Sequence, residues 1–171
     1  YNFDNITIVY NDSYHKTNSA YSFTYAAKHI SSDSYIHLNC DILFSKYILS
    51  KLINCSYHNA ICVRNDLILT DAMENIKINK RNKIVNMSLK NDNESQFKGY
   101  GLAKLSKKAL NNNLKLFNSI KEIKRKKENY FGLIRNNLEN DSYYIVKSDK
   151  YNLAEINTPE DLQVCSFRSD L

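Results

Sequence analysis

The sequence predicts a single α/β domain over residues 1–171, built on a mainly parallel sheet with a small antiparallel flap. Three observations lead there. Short β-branched or aromatic runs alternate with stretches of helical spacing from Asn5 onward, the pattern of strands joined by crossover helices. Only three Gly and one Pro punctuate the chain, and no repeat or low-complexity linker divides it. Apolar residues make up 43% of it, which at this length supports a packed core and excludes a disordered chain.

Asn5-Ile-Thr-Ile-Val-Tyr10 is the first strand, bounded by Asn and Asp. After a polar loop, Thr17, Asn18 or Ser19 caps a helix running through Lys28, whose apolar residues are dense enough to imply burial. Tyr35–Leu38 follows as a strand, and strand, helix and strand together read as a β-α-β unit with a right-handed crossover, the second strand central and parallel to the first. Ser45–Asn54 has helical spacing, and Asn59–Arg64 returns as a strand. Ile76–Asn79 and Lys83–Ser88 alternate apolar and polar residues, so they form the antiparallel pair, joined at Lys80-Arg-Asn82. Gly99–Ser106 is a strand whose glycines permit close backbone approach, and Ser106 caps the next helix. Leu114–Leu138 reads as one further helical stretch, and Asn152–Glu155 as a strand breaking into a helix opened by Thr158-Pro159.

No run of about 18 apolar residues and no basic-then-apolar leader is present, so the expectation is a cytoplasmic protein without a membrane span. Cys40, Cys55, Cys62 and Cys165 show no CxxC spacing and read as reduced thiols rather than a zinc site. The net charge of +6 concentrates at Lys121, Lys124, Arg125, Lys126 and Lys127. No nucleic-acid-binding motif accompanies this patch, and a solvated helix face or a field that attracts phosphate accounts for it. The four histidines lack metal spacing, and His37 reads as a packed strand residue.

The chemistry gathers in two acidic motifs more than a hundred residues apart. Tyr35-Ile-His-Leu-Asn-Cys-Asp41-Ile-Leu-Phe44 delivers one carboxylate at a strand end, where α/β sheets bind ligands. Asn152-Leu-Ala-Glu155-Ile-Asn157-Thr-Pro159-Glu-Asp-Leu162 could supply the other half of the site. Together they point to a hard cation held by a few protein oxygens and by the phosphates of a substrate.

In order, Tyr14-His-Lys-Thr17-Asn18-Ser-Ala-Tyr-Ser22-Phe23, Leu38-Asn39-Cys40-Asp41-Ile-Leu-Phe44, Glu74-Asn-Ile-Lys77-Ile78, Gly101-Leu-Ala-Lys104-Leu-Ser106 and Glu155-Ile-Asn157-Thr158-Pro-Glu160-Asp161-Leu162 match motifs of one family. The chain resembles nucleotidyltransferases, and among them the phosphocholine cytidylyltransferase-like enzymes that make CDP-alcohols. The resemblance implies a three-layer, Rossmann-like (GT-A-like) fold and transfer of a cytidylyl group from CTP to a phosphoalcohol such as phosphocholine, with release of pyrophosphate. It implies that Asp41 is catalytic and, with Asn157, ligates magnesium, Glu155 being the reserve ligand. It also implies that Thr17, Asn18, Ser22, Asn39, Lys104 and Glu155 contact substrate.

Several positions depart from the family pattern. Asn157 stands where Asp is usual, Cys40 where Gly precedes the metal Asp, and Lys98 where an acidic residue is common, which removes an amine-recognising contact. The family's first strand and Gly-rich nucleotide loop have no counterpart before Tyr1, so the N-terminal strand and loop are expected to be missing and activity to be impaired. An upstream segment or a second copy would then complete the sheet. The alternatives are a non-catalytic remnant or partner-binding domain of the same fold, and a sugar-1-phosphate nucleotidyltransferase.

Overall fold

A computed structural model describes residues 5–164. Helix α1 (Ser19–Ala27) starts at Asn18, whose side chain accepts the Ser19 N–H, and buries Ala20, Phe23 and Ala27. Strand β1 (Ser34–Leu38) and the short β2 (Ile42–Phe44) flank a break at 39–41. Ser45 then caps α2 (Lys46–Asn54), accepting the Ile48 N–H at 3.3 Å. Strands β3 (Ala60–Arg64), β4 (Asn75–Ile78), β5 (Ile84–Ser88) and the long β6 (Phe97–Ser106) follow. Helix α3 (Lys107–Ser119) is capped by Ser106 and α5 (Tyr130–Arg135) by Asn129, while the short α4 (Glu122–Arg125) starts after Lys121 without a side-chain cap. Strands β7 (Tyr144–Lys147) and β8 (Leu153–Glu155) and helix α6 (Pro159–Val164) complete the described residues.

Strands β1, β3 and β4 each pair antiparallel with β6, and β7 pairs parallel with β3. Hence β1, β3, β4 and β7 share one direction, while β6 and the flap strand β5 are reversed. The sheet is mainly parallel in strand direction, as expected, with reversed β6 as its spine. β3 flanks one edge of β6; β4 and β1 share the other, β4 at Phe97–Lys98 and β1 at Leu102–Ser106. A separate two-stranded antiparallel sheet joins β2 to β8.

Three layers result from strict alternation. On β3, Ile61 and Val63 face one core with Phe23, Ala109, Leu110, Tyr130 and Ile134 from α1, α3 and α5. Ala60 and Cys62 face the other, with Ile48 and Leu52 from α2 and Ile42 and Leu153 from the small sheet. Every residue of β3 but Arg64 is buried, the mark of a strand covered on both faces. Among the described residues no helix is long and apolar enough to cross a membrane.

Several expectations are corrected. Asn5–Tyr10 belongs to no strand, and Ile6, Ile8 and Tyr10 are exposed. Its β-branched residues favour an extended backbone, but a strand requires a partner edge. β1 is therefore not parallel to it: β1 pairs only with β6, antiparallel, and among the described residues nothing pairs its other edge, which leaves it half exposed. Leu114–Leu138 is not one helix. α3 ends at Ser119, Ile120 is extended, and Asn129 opens α5 by accepting the Gly132 N–H at 2.6 Å. Ile123 is solvent-exposed there, so no continuous apolar stripe holds the segment together. Strand β7 has no counterpart in the sequence reading. Cys62 is a buried free thiol and Cys55 is partly buried, but Cys40 is exposed at the β1–β2 break; Cys165 lies outside the described residues.

Candidate functional site

A cleft of about 600 Å³ opens where β6 begins and β1 ends. Lys98–Gly101 form its wall, Asn39 and Tyr130 its rear, and Glu74, Glu155 and Asn157 its sides. Three of the expected residues, Asn39, Glu155 and Asn157, line it. Asp41 lines an adjoining groove of about 580 Å³ along the open edge of β1, and Asn39 lines both.

The two acidic motifs are joined through the backbone. Ile42 is in register with Glu155 in the small sheet, and one step further the Ile156 N–H donates to the Asp41 carbonyl at 2.8 Å. This sets Asp41 beside the residue that precedes Asn157. The Asp41 Oδ1 atom is buried without a hydrogen-bond partner among the described residues. A buried carboxylate oxygen left unpaired is costly, and a hard cation, which takes carboxylate and amide oxygens, would satisfy it; Asn157, one residue after Ile156, carries such an amide oxygen. Among the described residues no group of three His, Cys, Asp or Glu side chains is arranged to hold a metal. Asp161 accepts the backbone N–H groups of Asn157 and Thr158, which fixes the turn after β8 and holds its carboxyl below the usual range.

Asn39 is held tightly. Its N–H donates to the Gly101 carbonyl at 2.8 Å, and its Oδ1 meets His37 Nε2 at 3.0 Å. His37 stacks on Tyr130 with ring centroids 3.6 Å apart, and burial lowers its pKa to about 4, as a packed neutral imidazole requires. Tyr130 in turn meets the Tyr35 hydroxyl at 2.8 Å.

Two of the cleft's carboxylates, Glu155 and Glu74, are paired internally. Lys98 Nζ lies 2.5 Å from Glu155 Oε2 and 4.7 Å over the Tyr100 ring. Arg135 Nη2 lies 2.6 Å from Glu74 Oε1, yet burial still raises the Glu74 carboxyl, against the opposing pull of Arg135. Burial also raises the Tyr100 hydroxyl to about 12. Tyr100, Glu74, Arg135 and Tyr130 were not singled out from the sequence as site residues. Glu74 was within reach, since it opens one of the matched motifs, and the Gly99-Tyr-Gly101 spacing marks Tyr100 as a side chain between two close backbone approaches.

The other expected contacts lie elsewhere. Thr17 and Ser22 both accept from the Asn11 amide, at 3.0 and 2.9 Å, and Asn18 caps α1 while its amide donates to Lys127. They brace the loop before α1, with Ser22 reaching the β1-edge groove. Lys104 Nζ donates to the Ile53 and Cys55 carbonyls at the end of α2, at the far end of β6 from the cleft.

No known family's sequence model matches the chain, and no curated protein sequence does. Solved structures do match it. An inositol-1-phosphate CTP transferase from T. maritima superposes with a TM-score of 0.69 at 17% identity, covering 88% of this chain and 60% of that one. The CTP:phosphocholine cytidylyltransferase from Streptococcus pneumoniae gives 0.67 at 13% identity, covering 94% and 68%. The chain has the nucleotidyltransferase fold. A putative glucose-1-phosphate thymidylyltransferase from Bacillus anthracis gives 0.66 at 13% identity, covering 88% and 61%. The chain thus spans about three-fifths of the length of the first and third, and the likeness is one of fold. The cleft lies past the carboxyl end of β1, a usual ligand position in α/β sheets, and beside the segment 70–74 that leads into β4.

Proposed function

We propose that this domain serves cytidylyl transfer from CTP to the phosphate of a small phosphoalcohol. A phosphate oxygen of the acceptor attacks the α-phosphorus of CTP, the new P–O bond forms, the bond to the β-phosphate oxygen breaks, and pyrophosphate leaves with that electron pair. The observation that carries this reading is the backbone bond from Ile156 to Asp41, which joins the two acidic motifs in a nucleotidyltransferase fold, Asp41 in the groove that adjoins the cleft of Glu155 and Asn157.

Asp41 and Asn157 would hold magnesium; Glu155, the reserve, is already paired with Lys98. Bound there, the ion neutralises phosphate charge and makes phosphorus more electrophilic. The chain's own part is positional, as in phosphoryl transfers generally. Asn39, fixed by Gly101 and His37, presents an amide to the cleft, which Tyr130, stacked on His37, also lines. The edge of β1 that has no partner among the described residues is where an upstream strand or a second copy would add.

The test is pyrophosphate release from CTP with phosphocholine, inositol 1-phosphate and a sugar 1-phosphate, by the 171-residue chain alone and joined at Tyr1 to a family-type strand and Gly-rich loop. Turnover with CTP and a phosphoalcohol, reduced at least about a hundredfold by Asp41→Ala, is the expected result; Asn157→Asp should tighten magnesium binding. Failure of both forms to bind CTP would favour a non-catalytic partner-binding domain.

A further inference from the structure

We propose that Lys98 is a resident ammonium that fills a cation site made by the Glu155 carboxylate and the face of Tyr100, so that the cleft refuses acceptors ending in an ammonium group and takes phosphate esters whose alcohol end is uncharged and rich in hydroxyls. This rests on the reading of the cleft as the acceptor side of a transferase and narrows its substrate class.

The geometry is that of an ammonium receptor with its ligand in place. Lys98 Nζ is 2.5 Å from Glu155 Oε2 and 4.7 Å from the centre of the Tyr100 ring, and the Lys98 side chain keeps only 14% exposure. A carboxylate beside an aromatic face is the arrangement that binds organic ammonium ions. Here both components are taken by the chain itself. The second cation near Tyr100, Arg64, is 5.6 Å from the ring and is held by Asp66 at 2.7 Å and by the Leu153 carbonyl at 2.8 Å, so it does not compete for Glu155.

The opposite side repeats the logic. Glu74, which could also receive an ammonium, is paired with Arg135 at 2.6 Å. Asp71 at the mouth of the cleft accepts the Asn91 N–H at 2.8 Å. Apart from the Asp71 carboxylate, which is exposed to solvent, the cleft offers a ligand uncharged groups: the amides of Asn39, Asn129 and Asn157 and the hydroxyls of Ser19 and Thr70. Amides and hydroxyls both donate and accept, which suits hydroxyl groups. A quaternary ammonium makes no hydrogen bonds and gains only where a carboxylate or ring face is open.

The experiment titrates the full chain with tetramethylammonium and, separately, with phosphocholine and inositol 1-phosphate, by NMR and calorimetry. The proteins are wild type, Lys98→Ala, Lys98→Met and Lys98→Arg. Removing the ammonium should improve tetramethylammonium binding at least about ten-fold in Lys98→Ala and Lys98→Met, a cation–π-sized gain. Lys98→Arg should behave as wild type, and adding Tyr100→Leu to Lys98→Met should erase the gain. Equal binding by wild type and folded Lys98→Ala or Lys98→Met overturns the proposal, as does a gain that survives Tyr100→Leu. Wild type alone gives a further reading if the variants fail to fold: inositol 1-phosphate must bind more tightly than phosphocholine, and the reverse order overturns the assignment. None of these measurements needs CTP or turnover, so a chain that releases no pyrophosphate with any acceptor defeats the transferase reading while the Lys98 comparison is still read.

Discussion

Gly101→Ala is the sharpest test of how the cleft is built. A Cβ at Gly101 would lie 2.4 Å from Asn39 Cγ and Nδ2 and 2.7 Å from Asn39 Cβ, far inside van der Waals contact. The backbones cannot simply part, because the Asn39 N–H is bonded to the Gly101 carbonyl at 2.8 Å. Asn39 must turn aside, giving up its 3.0 Å bond to His37. Overpacking of this kind costs about 1–3 kcal/mol and the lost hydrogen bond about 1 kcal/mol, for an expected loss of about 2–4 kcal/mol. With a urea slope of about 2 kcal/mol/M, the midpoint should fall by about 1–2 M while the slope holds. The control is Asn39→Gly, which removes the clashing atoms: in that background Gly101→Ala should cost under about 0.5 kcal/mol, so the two sites couple strongly. Equal costs in both backgrounds would show that the Cβ meets something other than Asn39, and the account of Gly101 would fail.

Two further expectations concern pH. His37 is held neutral, with a pKa near 4 against about 6.5 unfolded, so the unfolded chain binds more protons between those values. Its contribution is full above about pH 6.5 and is lost as pH falls toward 4, on the order of 2–3 kcal/mol; His37→Gln should flatten that slope in urea titrations, and an unchanged slope would refute the assignment. Arg135→Met should cost about 2–4 kcal/mol at neutral pH, below the range for fully buried pairs because Arg135 and Glu74 keep 23% and 16% exposure. The raised Glu74 carboxyl then favours the protonated form in the folded chain, so the loss should shrink as pH falls through that raised value toward the usual carboxylate range; a loss independent of pH would rule out an uncompensated Glu74 charge.

Much of this architecture is legible locally. The caps at Asn18, Ser45 and Ser106, the burial of β3 and the antiparallel flap all follow from residue type and spacing, because each depends on neighbours close in sequence. What is not legible is pairing at a distance. Ile6, Ile8 and Tyr10 carry every local mark of a strand yet have no partner edge among the described residues, and β propensity is a measure of packing that the sequence segment cannot report. The site divides in the same way. Asp41, Asn39, Glu155 and Asn157 are readable because they stand at strand ends, whereas the Lys98–Glu155 and Arg135–Glu74 pairs join residues 57 and 61 positions apart.

The placement of the functional residues follows from the one reversed strand at the centre of the sheet. Ligands of α/β sheets gather at the carboxyl ends of the like-directed strands, and Leu38, at that end of β1, pairs with Leu102 of β6. Since β6 runs the other way, its amino-terminal half is what reaches the cleft. Lys98–Gly101 therefore form the wall, and Lys104, at the other end of the same strand, anchors the carbonyls of α2. Alternation along β6 then divides the work between its faces. Lys98 and Tyr100 turn toward the small sheet and meet Glu155, while Gly99 and Gly101 turn the other way and give room to Glu74 and Asn39. A side chain at either glycine would push into a wall of the cleft, and the loss of Lys98 would leave the Glu155 carboxylate open to a ligand. The four residues 98–101 thus set both the shape of the cleft and the charge it presents.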